Sequence, residues 1–266
     1  MTAAPEGLSP DFDAALLARI ELAGLDAAAP PQQRTLEGWV LRLSPGKAKR
    51  ARCVNALAAG TLPLEEMLAR AEAAYREAGL PFIVRITPFT QPPTLDAMLA
   101  ARGLRRFDDS RVMVRASLEH LPATPALPPG VGFDPVCAEA FAEAIGRLRG
   151  SSPTQRQAHA ERLRTAPVPY RGVLLRRAGE LLAGGQFALA DGLAGLYDIG
   201  TAAPHRGQGL GHALCLHLLH AARAAGARCA YLQVDAGNAA AQRLYARLGF
   251  AHAYGYHYRS ASPELV

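Results

Sequence analysis

The residues best suited to chemistry in this chain are the six consecutive residues Arg206-Gly207-Gln208-Gly209-Leu210-Gly211. They follow an apolar, strand-like run, residues 196–201, and they open a helix-like run, residues 212–225. Glycine allows backbone N–H groups to approach a phosphate closely, and a helix N-terminus adds partial positive charge behind them. The pattern predicts a diphosphate-binding loop between a strand and a helix, although glycines also occur in such turns for packing alone.

Two other phosphate-binding motifs fit this loop poorly. A P-loop places Lys and then Ser or Thr after its last glycine, whereas Gly211 is followed by His212 and Ala213. A dinucleotide-binding fingerprint begins with glycine where this chain has Arg206. The next predicted strand does end at an acidic residue, Asp235, but the mismatch at Arg206 argues against a dinucleotide.

The composition excludes several functional classes. The chain has 266 residues and half of them are apolar, which allows one large domain or two small ones. We see no secretory signal and no apolar run of membrane-spanning length, so we expect a cytoplasmic protein without membrane contact. The cysteines lie at positions 53, 137, 215 and 229. Their scattered spacing predicts reduced thiols and no metal site.

The formal net charge is +6, and one dense basic cluster contributes to it: Lys47, Lys49, Arg50 and Arg52. Such a cluster could contact a polyanion, either a nucleic acid or a phosphorylated ligand. A Ser-Pro-Gly turn directly precedes it, so we favour a solvated hairpin turn. Nucleic-acid binding is therefore disfavoured.

A proline-rich stretch divides the chain. Its prolines are Pro122, Pro125, Pro128 and Pro129, and they favour extended backbone and interrupt regular structure. We predict an N-terminal domain over residues 1–118, a linker over 119–130 and a C-terminal domain over 131–266. Within the N-terminal half the pattern predicts a first helix over residues 11–23, capped by Ser9, and a last strand over 111–115. In the C-terminal half a first helix is predicted over 135–148.

The two halves resemble each other. Residues 78–86 match residues 225–233, and residues 99–104 match 245–250, with nearly the same glycine-to-glycine spacing. This agreement indicates one unit used twice, although two unrelated αβα stretches can agree by chance. Opposite the glycine-rich loop the first copy keeps only Gly60, and Glu65 there would repel phosphate.

The C-terminal half resembles the GNAT superfamily of N-acetyltransferases in three segments: the loop at residues 206–211, the run Asn-Ala-Ala-Ala-Gln-Arg-Leu-Tyr at 238–245, and Leu-Gly-Phe at 248–250. The resemblance covers about residues 131–266. It implies an α/β fold with a mixed, mainly antiparallel central sheet flanked by helices. The N-terminal half then resembles a truncated, degenerate copy without a CoA site, as in tandem members of the superfamily.

The resemblance implies acetyl-CoA as co-substrate and no metal. Backbone N–H groups of the loop would hold the pyrophosphate, and the pantetheine arm would pair with the end of the preceding strand, where Gly200 suits a β-bulge. The implied CoA-binding residues are Ile199, Gly200, Thr201, Arg206, Gly207, Gln208, Gly209, Leu210, Gly211, His212, Asn238, Ala241 and Tyr245. Arg243 or Arg247 could approach the nucleotide phosphates.

The implied reaction is direct transfer of an acetyl group onto a primary amine. Tyr245 is the candidate general acid for the departing thiolate, unless it only packs. Asp198 is the candidate base, or else a structural carboxylate, and strand alternation predicts that Tyr197 faces away from it. The histidines near the loop are interpreted as surface residues rather than metal ligands. A non-catalytic acyl-CoA-binding or sensory module is the alternative.

The sequence does not name the acceptor, which could be a small-molecule amine or an amine of a protein or peptide. We expect the variable segment over residues 135–170 and the chain end around Tyr254 and Tyr256 to form its pocket. A monomer and a homodimer are both compatible with the sequence.

Overall fold

A computed structural model describes residues 7–265 and contains one continuous sheet. Its strands are β1 (Gln33–Leu36), β2 (Trp39–Arg42), β3 (Val54–Ala56), β4 (Val84–Ile86), β5 (Arg105–Arg115), β6 (Val131–Val136), β7 (Tyr170–Arg177), β8 (Glu180–Ala190), β9 (Leu193–Thr201), β10 (Cys229–Asp235) and β11 (Ala251–Ser260). The strands lie in the order β1-β2-β3-β4-β11-β5-β10-β9-β8-β7-β6. The pairs β3·β4 and β9·β10 are parallel, and the other neighbours are antiparallel. The expected mixed, mainly antiparallel sheet is confirmed.

The helices lie against this sheet. They are α1 (Ala14–Ala27), α2 (Leu64–Glu77), α3 (Leu95–Ala101), α4 (Ala138–Leu148), α5 (Pro153–Thr165), α6 (Leu210–Ala224) and α7 (Ala239–Arg247), and single 3-10 turns occupy Lys49–Ala51, Ala203–His205 and Pro263–Leu265. No helix within residues 7–265 combines the length and apolar character needed to cross a bilayer. The apolar face of α6 is buried with strands β8 to β10 in one core cluster, and α1 packs in another with β5, β10 and β11.

Three boundaries differ from the sequence-based expectations. The first helix begins later, at Ala14, because Asp13 rather than Ser9 caps it by accepting a hydrogen bond from the N–H of Leu16. The last N-terminal strand runs over Arg105–Arg115, since it pairs with both β10 and β11. Residues expected to begin a helix at Pro135 instead belong to β6, which pairs with β7, and α4 starts at Ala138.

The sheet does not separate at the proline-rich stretch. Strand β5 of the N-terminal half lies between β10 and β11 of the C-terminal half, and β11 in turn pairs with β4. The division into domains at residues 1–118 and 131–266 stays a prediction about the chain, whereas the hydrogen bonding of the sheet runs across it.

A buried ion pair joins α1 to this central region. Both carboxylate oxygens of Glu21 contact the guanidinium of Arg85, and Tyr254 donates a hydrogen bond of 2.7 Å to Oε2 of Glu21. Burial alone would raise the pKa of Glu21, but Arg85 and Tyr254 outweigh it and hold that pKa below its usual value. The network therefore ties α1, β4 and β11 together with charged groups that depend on one another.

Candidate functional site

The glycine-rich loop connects β9 to α6 and owes its shape to two glycines. Gly207 and Gly209 have φ angles of 77° and 78°, a conformation that residues with a Cβ rarely adopt. A Cβ built on either glycine would meet nothing within 4 Å, so the backbone conformation and not crowding requires glycine there. Gly209 is also the N-cap of α6 and provides no side chain to cap it.

This loop presents unpaired donors. Within residues 7–265, the consecutive backbone N–H groups of residues 207–212 donate to no protein acceptor, and the first bond of α6 runs from Ala213 N to Gly209 O over 3.1 Å. Two side chains brace the loop instead: Arg206 Nε donates to Thr201 O, and Gln208 Nε2 donates to Pro204 O, each over 3.3 Å. Unpaired N–H groups at a helix N-terminus attract anions, as a diphosphate-binding loop requires.

Strands β9 and β10 diverge beside this loop. Their parallel pairing runs from Leu193 with Cys229 to Leu196 with Leu232 and ends there, although the strands continue to Thr201 and Asp235. Between the separated ends lies a cavity of about 310 Å³, which we call the transfer cavity. Its lining includes Ile199, Asn238, Ala241 and Tyr245. The site residues predicted on β9 and on α7 thus meet at one place.

The β-bulge lies earlier than expected. Gly200 pairs regularly with Gly184, and the register shift falls between that pair and the next, Tyr197 with Gln186. The prediction of a bulge at Gly200 is therefore wrong, and Asp198, with φ of 56°, carries the distortion. The bulge interrupts strand alternation, so Tyr197 and Asp198 both line the transfer cavity. This corrects the expectation that they face opposite sides.

Tyr245 and Asn238 reach the transfer cavity from α7. The Tyr245 side chain is buried, and its hydroxyl forms no hydrogen bond within the described chain. Burial, with a smaller contribution from Cys215, raises the pKa of Tyr245 well above that of an ordinary phenol. Asn238 caps α7 because its Oδ1 accepts a hydrogen bond of 3.0 Å from Ala241 N, which leaves its NH₂ group free.

Asp198 is heavily engaged. Its carboxylate accepts a hydrogen bond of 2.6 Å from Gln186 Nε2, forms an ion pair with Arg149, and lies 3.2 Å from Nε2 of His159. That last contact lacks good hydrogen-bond geometry, and the Nε2 atom has no other protein partner in the described region. Burial alone would raise the pKa of Asp198, but His159, Arg149 and Arg162 together hold it well below its usual value.

A second cavity, which we call the basic cavity, adjoins the first and has a volume of about 360 Å³. Helix α5 brings His159 and Arg162 to it, and the N-terminal half contributes Lys47, Lys49 and Arg50 from the connection between β2 and β3, which contains a 3-10 turn. The interpretation of this cluster as part of a hairpin turn is confirmed, because residues 43–53 join the antiparallel strands β2 and β3. The turn is not fully solvated, however: Lys47 is exposed, whereas Lys49, Arg50 and Arg52 are partly buried. Arg50 lines both cavities.

A third cavity, of about 320 Å³, lies on the other side of the loop. Residues 125–128 of the proline-rich stretch face residues 208–210 there, and Arg247 lines it while Arg243 does not. Of the two arginines expected near the nucleotide phosphates, Arg247 is thus the one beside the loop.

The remaining expected residues lie apart. His205 pairs with Glu180 over 2.8 Å, His217 stacks on Phe133, and His220 bonds to a backbone carbonyl. No group of three His, Cys, Asp or Glu residues within residues 7–265 could hold a metal ion. Tyr254 and Tyr256, expected at the acceptor pocket, line none of the three cavities. Both are buried in the cluster around α1, and of the tyrosines on β11 it is Tyr258 that lines the basic cavity.

The segment over residues 135–170, expected to form the acceptor pocket, does line the basic cavity, and Arg149 and His159 belong to it. The sequence reasoning did not single out these two residues, nor Gln186, and it did not assign Arg50 to the site. The four residues lie on different elements, and nothing in their local spacing joins them.

Comparison with known proteins agrees with this arrangement. Residues 140–250 match the acetyltransferase (GNAT) family. An uncharacterized N-acetyltransferase of Bacillus subtilis, YobR, is 27% identical over 230 residues, which cover 85% of this chain and 91% of YobR. A GCN5-related N-acetyltransferase from Kribbella flavida has a TM-score of 0.67 at 21% identity and covers 93% of this chain and 96% of its own. A tandem GNAT protein from the clavulanic acid biosynthesis pathway has a TM-score of 0.58 at 20% identity, over 75% of this chain and 70% of its own. The resemblance expected from the sequence is confirmed.

Proposed function

We propose that this protein transfers the acetyl group of acetyl-CoA to a primary amine by direct attack, because residues 140–250 match the acetyltransferase (GNAT) family. The observation that carries the proposal is the divergence of β9 and β10 next to a loop of unpaired N–H groups. This arrangement provides an anion site and an open strand edge leading into the transfer cavity.

In this proposal the pyrophosphate binds the N–H groups of residues 207–212, supported by the N-terminal end of the α6 dipole. The pantetheine arm, which resembles a peptide, adds to the side of β9 that β10 leaves free at Ile199, Gly200 and Thr201. The thioester then lies in the transfer cavity, where a backbone N–H of this open edge stabilises the oxyanion that develops during attack.

Tyr245 acts on the leaving group. Since its pKa is raised, the phenol is protonated throughout the working pH range and donates a hydrogen bond to the departing thiolate. Asp198 suits the role of base less well, because a carboxylate with a strongly lowered pKa takes up a proton reluctantly. We propose that Asp198 orients Arg149 and His159, and that the proton of the amine leaves through His159 or water.

The test combines binding and turnover. Acetyl-CoA binding is measured by calorimetry, and CoA release is measured with a panel of amines, peptides and aminoglycosides. We expect Tyr245→Phe to lower kcat roughly 10- to 100-fold, the value of a hydrogen bond to a charged group, while the dissociation constant of acetyl-CoA changes little. The control is Tyr75→Phe, which removes a buried hydroxyl that lines none of the cavities. Tight binding without CoA release from any amine would favour a non-catalytic acyl-CoA-binding module. An unchanged kcat in Tyr245→Phe would remove this residue from its role.

A further inference from the structure

The basic cavity has an imbalance of charge. Six cationic side chains line it: Lys47, Lys49, Arg50, Arg149, Arg156 and Arg162. The lining carboxylates are Asp108 and Asp198. A concave site lined mostly by one sign of charge concentrates ligands of the opposite sign.

Three of the six cations are neutralised by carboxylates. Lys49 lies 2.9 Å from Asp108, Arg149 pairs with Asp198, and Arg156 lies 2.7 Å from Glu143 at the edge of the cavity. These ion pairs hold the walls in place, and they leave no carboxylate free within the lining.

Within residues 7–265, the other three cations contact only neutral groups. Lys47 Nζ donates to the carbonyl of Arg149 over 3.3 Å. Arg162 Nη1 donates to a backbone carbonyl over 3.0 Å and to Tyr170 over 3.2 Å.

Arg50 is the third of these cations. Its Nη1 donates to Oε1 of Gln233, and its guanidinium carbon lies 5.3 Å from the centre of the Tyr197 ring. Of the three, Arg50 is partly buried and Arg162 is buried, and neither forms a direct ion pair with a carboxylate of the described chain, so an anionic ligand would supply the missing contact.

We propose that the acceptor amine carries an anionic group, a carboxylate or a phosphate, which binds Arg50 and Lys47 of the N-terminal half. The proposal rests on the acetyl transfer inferred above and names its substrate class. Arg50 lines both cavities, so an anion held by its guanidinium places the amine of the same molecule toward the transfer cavity. Arginine provides a planar pair of donors for either anion. The same cations repel polycationic amines such as aminoglycosides.

Matched amine pairs test the proposal in the full-length protein. The pairs are 4-aminobutyrate with butylamine, and O-phosphoethanolamine with ethanolamine; CoA release gives kcat/KM for each. We expect the anionic member of at least one pair to be preferred roughly tenfold or more, as for one charge-assisted hydrogen bond. The pair that shows the preference identifies carboxylate or phosphate as the recognised group.

Variants assign the preference to residues. Arg50→Ala is expected to abolish it mainly through KM, and Lys47→Ala, at an exposed side chain, is expected to reduce it without affecting folding. Arg50→Lys keeps the charge but not the paired donors, so it retains part of the preference. The control is Arg76→Ala, which removes the same unit charge from an exposed position on α2 and leaves the preference intact.

A binding measurement separates this inference from the proposed reaction. Inorganic phosphate and 4-aminobutyrate are titrated by calorimetry into protein saturated with CoA, so that the diphosphate loop is already occupied. Binding that Lys47→Ala or Arg50→Ala weakens and Arg76→Ala does not supports the anion site, even if no amine is acetylated. Equal kcat/KM within each pair, or a preference for the uncharged member, would overturn the inference and leave the acetyltransferase assignment standing. Absence of anion binding together with absence of turnover would also overturn it.

Discussion

Replacing Gly209 by alanine tests whether the conformation of the loop creates the proposed CoA site. Gly209 has φ of 78° and is the N-cap of α6. A left-handed conformation costs a residue with a Cβ roughly 1–2 kcal/mol. A Cβ there would meet nothing within 4 Å, so packing neither adds to this cost nor offsets it.

The structure indicates that this cost will appear in the dissociation constant of CoA. The N–H groups of residues 207–212 have no protein partner within the described chain, and only two side-chain hydrogen bonds, from Arg206 and Gln208, brace the loop. We therefore expect the alanine variant to relax out of the left-handed conformation in the free protein. Binding must then restore it at a cost of about 1–2 kcal/mol, which raises the dissociation constant of CoA about 5- to 30-fold.

Gly226→Ala is the matched control. Gly226 follows the other end of α6, has φ of 99° and also has nothing within 4 Å of a built Cβ. Both variants share the loss of backbone freedom in the unfolded chain, so this effect cancels between them. The measurements are the free energy of unfolding in urea and calorimetric titration with CoA. Gly226→Ala should lose stability and bind CoA normally; a wild-type dissociation constant in Gly209→Ala would refute the reasoning.

Two further predictions concern carboxylates that form ion pairs, Asp198 and Glu21. Asp198→Asn should lower the free energy of unfolding by about 1–3 kcal/mol, since it leaves Arg149 unpaired. The acidic limb in the profile of kcat/KM against pH should persist in this variant. If that limb disappeared, Asp198 would be the base that deprotonates the amine. The pKa of Glu21 is lower in the folded protein than in the unfolded chain. Its ion pair with Arg85 therefore stabilises the fold fully above the unfolded-state pKa of about 4.3. This stabilisation is lost as the pH falls through the lower pKa of the folded state. Glu21→Gln should lower the free energy of unfolding by about 3–5 kcal/mol at pH 7, and the stability of the variant should fall less steeply as the pH is lowered. Urea unfolding between pH 7 and pH 3 measures both effects. An equally steep fall in the variant would show that the Glu21–Arg85 pair is not the cause of the acid sensitivity.

The parts of the site that lie close together in sequence could be predicted from it. The glycines of the loop and the helix that follows depend on local backbone requirements, and these are visible in residue types and spacing. The predicted end of β10 at Asp235 is likewise confirmed, because strand length follows the apolar run.

The parts that depend on tertiary packing could not be predicted. The bulge at Asp198 arises from its register with β8, and a sequence pattern does not contain register. Strand β6 is a second case, because Asp134 and Pro135 are residue types that rarely occur in strands, and only the pairing with β7 defines this segment as one. The neighbours of Asp198, Arg149 and His159, come from α4 and α5 and meet only in the folded protein.

The order of strands explains how the N-terminal half reaches the proposed acetyl-transfer site. The order of strands is symmetric about the central pair β11·β5. On one side β5 pairs with β10, whose parallel neighbour is β9. On the other side β11 pairs with β4, whose parallel neighbour is β3. Each half thus places its last strand beside the parallel pair of the other half, which agrees with the proposed repeat. Because this exchange fixes the two halves against each other, the turn after β2 has a defined position over the transfer cavity. The proposed CoA site lies at the C-terminal pair, where β9 and β10 diverge next to a loop whose N–H groups have no protein partner within residues 7–265, and the N-terminal half contributes cations to the adjoining cavity through Arg50 and Lys47.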